Sequence, residues 1–252
     1  MRSRAGSPMR WLRLDRPAGS EPEASASTAA LFGDGAVAVE REGDRLAGWF
    51  IDDAPAAARA VDAPHWAAEW LREQRIVRVS ERVSVGPTFI DAPALVRVNP
   101  GLAFGTGTHP TTWLCLQALE PLARGRRVLD IGTGTGVLAV AALKLGALSA
   151  LGTDNDPVAL ATAARVARLN GVEVKLAARA PDGEQFDLVL ANLPVEAQEA
   201  LAPEVMRSAS RDLLVSGFLE DVAIQRLYFP AFRPVARTAK SGWALQHLAR
   251  RL

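Results

Sequence analysis

The chain has 252 residues, 49% of them hydrophobic, which is enough to build a substantial core in one large domain or two smaller ones. Its formal net charge of +1 gives no overall attraction to nucleic acids or membranes, and no stretch approaches the roughly 20 apolar residues of a membrane helix or opens the chain as a signal peptide would. One cysteine and three histidines cannot form a disulfide framework or a usual zinc site, so we expect a cytoplasmic protein without a metal.

The first quarter of the sequence has the pattern of a small α+β domain. The segment from Pro17 to Ala30 is rich in Pro, Ser, Ala and Glu, which predicts a mobile linker or loop, with a helix only from about Ser25 onward. After it, GAVAVEREGDRLAGWFI predicts two strands around the turn EGD, and PHWAAEWLREQ has the spacing of a connecting helix. We therefore expect an α+β domain over residues 1–62 and a linker region with a helix over residues 63–95.

From Arg127 onward, short apolar runs alternate with helical patterns. The strand-like runs are RVLDI, SALGTD, VEVKLA, FDLVLANL and DLLVSG. The helical segments between them include GVLAVAALKLGA, DPVALATAARVARLNG and VEAQEALAPEVMRSA. This alternation predicts βαβ units, and hence a parallel sheet with helices on both faces, in an α/β domain over residues 96–252. The final FRPVARTAKSGWALQHLA predicts an antiparallel hairpin at the sheet edge.

A glycine-rich turn follows the strand that ends at Asp130. Gly132, Gly134 and Gly136 precede an apolar helix, so backbone amides at a helix N-terminus face a ligand there. A valine occupies the third glycine position of a dinucleotide fingerprint, and no P-loop Lys follows. Asp154 ends the next strand, where a carboxylate can accept hydrogen bonds from ribose hydroxyls. The site can bind a ribose but has no fingerprint for a pyrophosphate. S-adenosylmethionine, which contains a ribose and no pyrophosphate, fits it.

Two further segments complete the predicted site. Asn192 ends the fourth strand, where its side-chain amide can accept a hydrogen bond from an incoming amine and aim its lone pair at a sulfonium methyl group. A second GTGT lies upstream in GLAFGTGTHPTTW, and it reads as a loop entering a helix with Thr111 or Thr112 near the N-cap. We expect His109 to hydrogen-bond the backbone and fix that loop rather than to act as a general base.

The sequence resembles the ribosomal protein methyltransferases of the PrmA type, which modify large-subunit ribosomal protein eleven. The resemblance is carried by PGLAFGTGTHPTT, VLDIGTGTGVLAVAALKLGA, GTDNDP and VLANL in that order, over about residues 95 to 218. It implies a Rossmann-like class I methyltransferase sheet with a small N-terminal substrate-recognition domain. It also implies trimethylation of lysine side chains and of the N-terminal amine with S-adenosylmethionine.

The resemblance assigns roles to seven residues of this sequence. It implies that Phe104, Thr111 and Thr112 line or cover the cofactor and that Gly132 and Gly134 approach it closely. It also implies that Asp154 holds the ribose and that Asn192 lies beside the reacting methyl group. The expected partner is ribosomal protein eleven, free or near the ribosome. We expect a monomer that needs no membrane and no direct nucleic-acid binding.

Two alternatives remain at this stage. The first is methylation of RNA or of another protein, for which the cofactor site would look nearly the same. Relatives of that kind carry a fuller Asn-Pro-Pro-Tyr turn, whereas this chain has Asn-Leu-Pro-Val. The second is a non-catalytic binding module that retains the fold, which the intact glycines, Asp154 and Asn192 disfavour.

Overall fold

The computed structural model describes residues 9–52, 54–99, 105 and 107–251. The N-terminal part is an antiparallel sheet covered by one helix. Its elements are β1 (Trp11–Pro17), α1 (Glu21–Gly33), β2 (Ala38–Glu42), β3 (Arg45–Ile51) and β4 (Arg59–Val61), and the strands pair in the order β2-β3-β1-β4. Leu31 of α1 is fully buried against Leu12, Leu46 and Phe50 of the sheet. The predicted pair of strands around the EGD turn is confirmed.

The helix α1 begins earlier than the composition of its segment predicts. It starts at Glu21, so the prediction of a linker with a helix only from about Ser25 was wrong. The reason is a capping box: the carboxylate of Glu23 accepts hydrogen bonds from the Ser20 backbone N–H at 2.8 Å and from the Ser20 hydroxyl at 2.7 Å. Pro22 lies in the first turn, where a missing N–H costs no helical hydrogen bond.

A short helix and a small sheet lie between the N-terminal sheet and the large sheet in the sequence. The helix α2 (Ala67–Glu73) lies where the apolar spacing predicts it, and it is followed by β5 (Val77–Arg78), β6 (Ser84–Gly86) and β7 (Val96–Arg97). These strands form a three-stranded sheet in the order β5-β6-β7. Val83, Val85 and Val96 are fully buried in the same apolar cluster as residues of the large sheet domain. Residues 77–97 therefore share a core with that domain.

The large sheet has seven strands. In chain order its elements are α3 (Pro110–Leu119), β8 (Arg127–Ile131), α4 (Val137–Lys144), β9 (Ser149–Thr153), α5 (Pro157–Leu169), β10 (Lys175–Ala177), β11 (Phe186–Asn192), α6 (Val195–Ser208), β12 (Ala209–Leu219), a 3-10 helix (Ile224–Tyr228), β13 (Phe232–Lys240) and β14 (Trp243–Arg250). The strand order is β10-β9-β8-β11-β12-β14-β13. β14 is antiparallel to both of its neighbours, β12 and β13, and the other strand pairs of this sheet are parallel. The predicted Rossmann-like sheet and its edge hairpin are confirmed.

Both faces of this sheet are buried, as in parallel sheets with crossover helices. Leu188 and Leu190 of β11 face one apolar cluster, and Val189 and Ala191 of the same strand face another. The chain builds outward from β8 in one direction and then resumes at β11 on the other side of β8. A crevice opens at such a reversal, at the carboxyl ends of the strands, and ligands bind there in open α/β sheets.

Candidate active site

A cavity of about 750 Å³ lies at this crevice. Among the residues that line it are five of those predicted for the site, namely Thr111, Gly132, Gly134, Asp154 and Asn192. Thr112 is not among the described lining residues; it is fully buried in the first turn of α3. Phe104, the remaining predicted residue, lies outside the described residues. Residues from distant parts of the sequence therefore meet in one cavity.

The glycine turn after β8 has a conformation that requires glycine. Gly132 and Gly134 have φ values of 68° and 54°, in the left-handed region. A Cβ atom on Gly132 would lie 2.2 Å from Cδ2 of Leu193, so a side chain there would displace the residue that follows Asn192. The absence of side chains brings the backbone of the turn directly to the cavity.

The carboxylate of Asp154 is held by two backbone N–H groups. Oδ2 accepts from Gly134 at 3.0 Å, and Oδ1 accepts from Asp156 at 3.0 Å. An ionised carboxylate has about four acceptor positions, so each oxygen retains one for a ligand. Asp154 is thereby oriented at the cavity wall as an acceptor for two hydroxyl groups.

A second carboxyl group lies beneath the turn. Asp130 is buried and accepts a hydrogen bond from the Thr133 hydroxyl at 2.7 Å. Burial raises the pKa of Asp130 to about 7; the negative charge of Asp154 acts in the same direction, and hydrogen bonds from Thr133 and Ala139 oppose both. The sequence identified Asp130 only as the end of a strand, because nothing local distinguishes a buried carboxyl group from an exposed one.

The upstream GTGT loop ends at a histidine cap. His109 is the N-cap of α3, and its Nδ1 accepts a hydrogen bond from the Thr111 N–H at 3.3 Å and lies 2.8 Å from the Thr111 hydroxyl. Pro110 takes the first helical position, so Thr111 and Thr112 lie near the N-cap, as predicted. Burial lowers the pKa of His109, which favours the neutral ring that this cap needs. His109 hydrogen-bonds the backbone, as expected.

The side chain of Asn192 places a buried carbonyl oxygen at the cavity. Its Oδ1 is buried and has no hydrogen-bond partner among the described residues. A buried carbonyl oxygen without a partner costs about 1–3 kcal/mol, so a ligand N–H at this position would remove a penalty. Asn192 is therefore suited to accept a hydrogen bond from a bound amine.

The turn that carries Asn192 is fixed by a network that the sequence did not predict. Gln198 is fully buried, and its Nε2 donates to the carbonyl oxygens of Leu193 and Ser216, both at 2.8 Å. The Tyr228 hydroxyl donates to Oε1 of Gln198 at 3.1 Å. These contacts join α6, β12 and the 3-10 helix around the Leu193 backbone. Their only sequence signal was a glutamine on an otherwise apolar helix face.

These features fit S-adenosylmethionine. The glycine turn offers an open backbone, Asp154 offers two acceptor positions, and the unpartnered Asn192 Oδ1 lies in the same cavity. Three carboxylates, those of Asp154, Asp156 and Glu204, line the cavity together with one guanidinium, that of Arg179, and this negative balance favours a cationic sulfonium ligand. The described residues contain no group of His, Cys, Asp or Glu that could hold a metal, and none of their helices is long and apolar enough to cross a membrane.

Comparison with known proteins decides the family. The sequence model for ribosomal protein L11 methyltransferase (PrmA) matches residues 36–251. The chain belongs to this family. The description of this family names ribosomal protein L11 as the protein that its members methylate.

Individual members of the PrmA family agree with the match. The ribosomal protein L11 methyltransferase of Geobacter sulfurreducens is 43% identical over 165 residues, which are 62% of this chain and 55% of that protein. The one from Stenotrophomonas maltophilia strain R551-3 is 38% identical over 214 residues, which are 77% of this chain and 70% of that protein. The chain thus spans little more than half of the first relative and about two thirds of the second.

A solved structure extends the likeness to the fold. The ribosomal protein L11 methylase of Lactobacillus delbrueckii subsp. bulgaricus superposes with a TM-score of 0.62 at 28% identity. The superposition covers 70% of this chain and 99% of that structure.

Proposed function

We propose that the protein transfers methyl groups from S-adenosylmethionine to lysine side-chain and N-terminal amines of ribosomal protein L11. The observation that carries this proposal is the buried, unpartnered Oδ1 of Asn192 in the same cavity as the glycine turn and Asp154. Membership of the PrmA family supplies the target. An amine of L11 would give Asn192 the hydrogen-bond donor that the described chain does not provide.

The residues of the site position the reactants. When bound, S-adenosylmethionine supplies a methyl group on a sulfonium, so that its S–C bond breaks as the amine nitrogen forms an N–C bond and a neutral thioether leaves. Asp154 would hold the ribose, and Gly132 and Gly134 would face the rest of the cofactor. Asn192 would direct the amine lone pair along the line of transfer. Alignment and exclusion of water are sufficient for such a reaction, because the leaving group is already activated.

The amine must lose a proton before each transfer. A lysine with a pKa near 10.4 lies about three units above neutral pH, which corresponds to roughly 4 kcal/mol. A cationic sulfonium and a desolvated pocket both disfavour the ammonium form, so we infer that the proton leaves to water before the amine attacks. His109 is engaged by the Thr111 N–H and is not required as a base.

We extend the proposal to the organisation of the chain. Residues 1–62 would contact the substrate, and residues 96–252 would form the catalytic domain. Residues 63–95 would link the two, with their second half packed on the catalytic domain. The single cysteine, Cys115, is buried, which is compatible with the cytoplasm as the place of the reaction. We propose that the enzyme acts as a monomer.

The test is transfer of labelled methyl groups from S-adenosylmethionine to unmethylated large ribosomal subunits and to their isolated proteins. We expect the label on L11, with mass analysis locating it on lysine side chains and the N-terminal amine. Asn192→Ala should abolish transfer while it retains cofactor binding, which calorimetry measures separately. Label on RNA or another protein would refute the substrate, and cofactor binding without transfer to any component would favour the non-catalytic module.

A further inference from the structure

The strand order shows which lining residues lie on each side of Asn192. Along the carboxyl edge of the sheet, Asp154 follows β9, Gly132 follows β8, Asn192 ends β11, Gly217 lies on β12 and Trp243 begins β14. The cofactor residues Asp154 and Gly132 are therefore on one side of Asn192. The lining residues Gly217 and Trp243 are on the other side, where the amine must enter. The part of the cavity above β12 and β14 is the amine channel if the proposed function holds.

The wall of this channel is aromatic. Trp243 is half-buried, and its ring meets the ring of His109 edge to face, with centroids 4.8 Å apart and planes at 69°. The hairpin turn at Ser241 and Gly242, with φ values of 50° and 80°, brings Trp243 back to the sheet beside Leu219 of β12. Trp243 on β14 is thus two strands away from Asn192 on β11, and the pairing of both strands with β12 fixes the distance between them.

The channel has space between Asn192 and the tryptophan. β12 separates β11 from β14, so the two backbones are about 10 Å apart at the usual spacing of strands. Gly217 lies between them without a side chain, in a bulge where a Cβ atom would be 2.2 Å from the Leu193 carbonyl oxygen. The Leu193 backbone therefore occupies the place of a Gly217 side chain, and Asn192, Gly217 and Trp243 all line the cavity.

The Trp243 ring is available to a cationic group. Lys240, on the same hairpin, places its Nζ 4.2 Å from the centroid of Trp113 instead. Among the described residues, no Lys or Arg lies over the Trp243 ring. Aromatic rings attract alkylated ammonium groups through their negative faces, and methylated lysines are bound in this way.

We propose that Trp243 is a specificity-determining residue that holds the methylated ammonium between successive transfers and so promotes trimethylation. The inference rests on the proposed function, because it assigns the retained group to the amine being methylated. Each added methyl group makes the amine larger and more apolar, so its contact with the ring improves as the reaction proceeds. The ammonium then loses its proton to water and turns toward Asn192 for the next transfer.

The test follows the methylation state of L11 through time by intact-mass analysis, with saturating S-adenosylmethionine. In Trp243→Leu the ring is lost but an apolar side chain remains. We expect the rates of the second and third transfers to fall about tenfold more than the rate of the first. Mono- and dimethylated L11 should accumulate and dissociate. Trp243→Phe retains a ring and should restore most of the trimethylated product. Trp113→Leu removes the ring under Lys240, outside the cavity, and should retain the normal product distribution.

Cofactor affinity, measured by calorimetry, verifies that each variant is folded. A normal product distribution in Trp243→Leu would overturn the inference, and so would an equal loss of all three transfers. If the unaltered protein does not methylate L11, the proposed function fails instead. Binding of a trimethyllysine peptide to the protein with S-adenosylhomocysteine gives a second readout: Trp243→Leu should lower its affinity about tenfold relative to the unmethylated peptide. Equal losses for both peptides would contradict a role for the methyl groups.

Discussion

The hydroxyl of Thr135 donates a hydrogen bond to the carbonyl oxygen of Gly105 at 2.7 Å and thereby joins the two GTGT segments. Thr135 belongs to the turn after β8, and Gly105 belongs to the loop that precedes α3. Gly105 has a φ of 109°, and a Cβ atom there would lie 2.8 Å from the Thr135 hydroxyl oxygen. This hydrogen bond attaches the upstream loop to the glycine turn after β8.

Loss of this bond should weaken cofactor binding. Thr135→Val removes the donor while it preserves the shape of the side chain, so we expect the Kd for S-adenosylmethionine to rise about five- to tenfold, corresponding to about 1 kcal/mol. Thr135→Ser retains the hydroxyl and should bind nearly as the unaltered protein does. Calorimetry checks both. Equal affinity in the Val and Ser variants would show that the contact does not support binding.

Removal of the Asp154 carboxylate should abolish stabilisation by the cofactor. Asp154→Ala loses the acceptors for the ribose and also the partners of Gly134 and Asp156, and we expect the Kd to rise at least about 100-fold. Asp187→Ala is the matched control, because Asp187 accepts from the Arg127 N–H at the opposite end of the sheet. S-adenosylmethionine should raise the Tm of the control and not that of Asp154→Ala. A normal rise in both would exclude the ribose role.

Gln198 should affect catalysis through Asn192. Gln198→Ala leaves the buried Leu193 carbonyl oxygen without its side-chain donor and leaves the Ser216 carbonyl oxygen with only the Leu193 N–H, which costs about 1–3 kcal/mol of stability and loosens the turn. We expect kcat to fall about tenfold or more, with less than about a threefold change in cofactor Kd. Tyr228→Phe removes only the bond to Oε1 and should retain most of kcat. A fall in cofactor affinity as large as the fall in kcat would indicate general disruption.

The buried Asp130 should make stability depend on pH. Its folded pKa, about 7, is above the ordinary value of 3.8, so the folded state binds the proton more tightly than the unfolded state. This stabilising contribution is complete below about pH 3.8 and disappears as the pH rises through 7. Between pH 4 and 7, the unaltered protein should lose up to about 4 kcal/mol of unfolding free energy relative to Asp130→Asn. Urea unfolding at several pH values measures this difference, and a constant difference would refute the prediction.

Local pattern was sufficient to predict most of the chosen residues that meet in the cavity. Asp154 and Asn192 each end an apolar run, and parallel strands bring their carboxyl ends to one edge, so their meeting in one cavity follows from the periodicity. The glycine turn was evident because close backbone approach and positive φ leave few other residues possible there.

Other features depended on contacts between distant residues. The Gln198 network joins residues up to 30 positions apart, and the start of α1 depended on the Ser20–Glu23 capping box, which composition alone did not indicate. Trp243 reaches the cavity only because the sheet order places β14 beside β12. The sequence alone determined the order of the elements and the chemistry at their ends, since both follow from local periodicity and backbone preference. Only the tertiary structure decided which side chains are buried, capped or brought to the cavity, because those properties arise from packing between strands and helices that are separate in sequence.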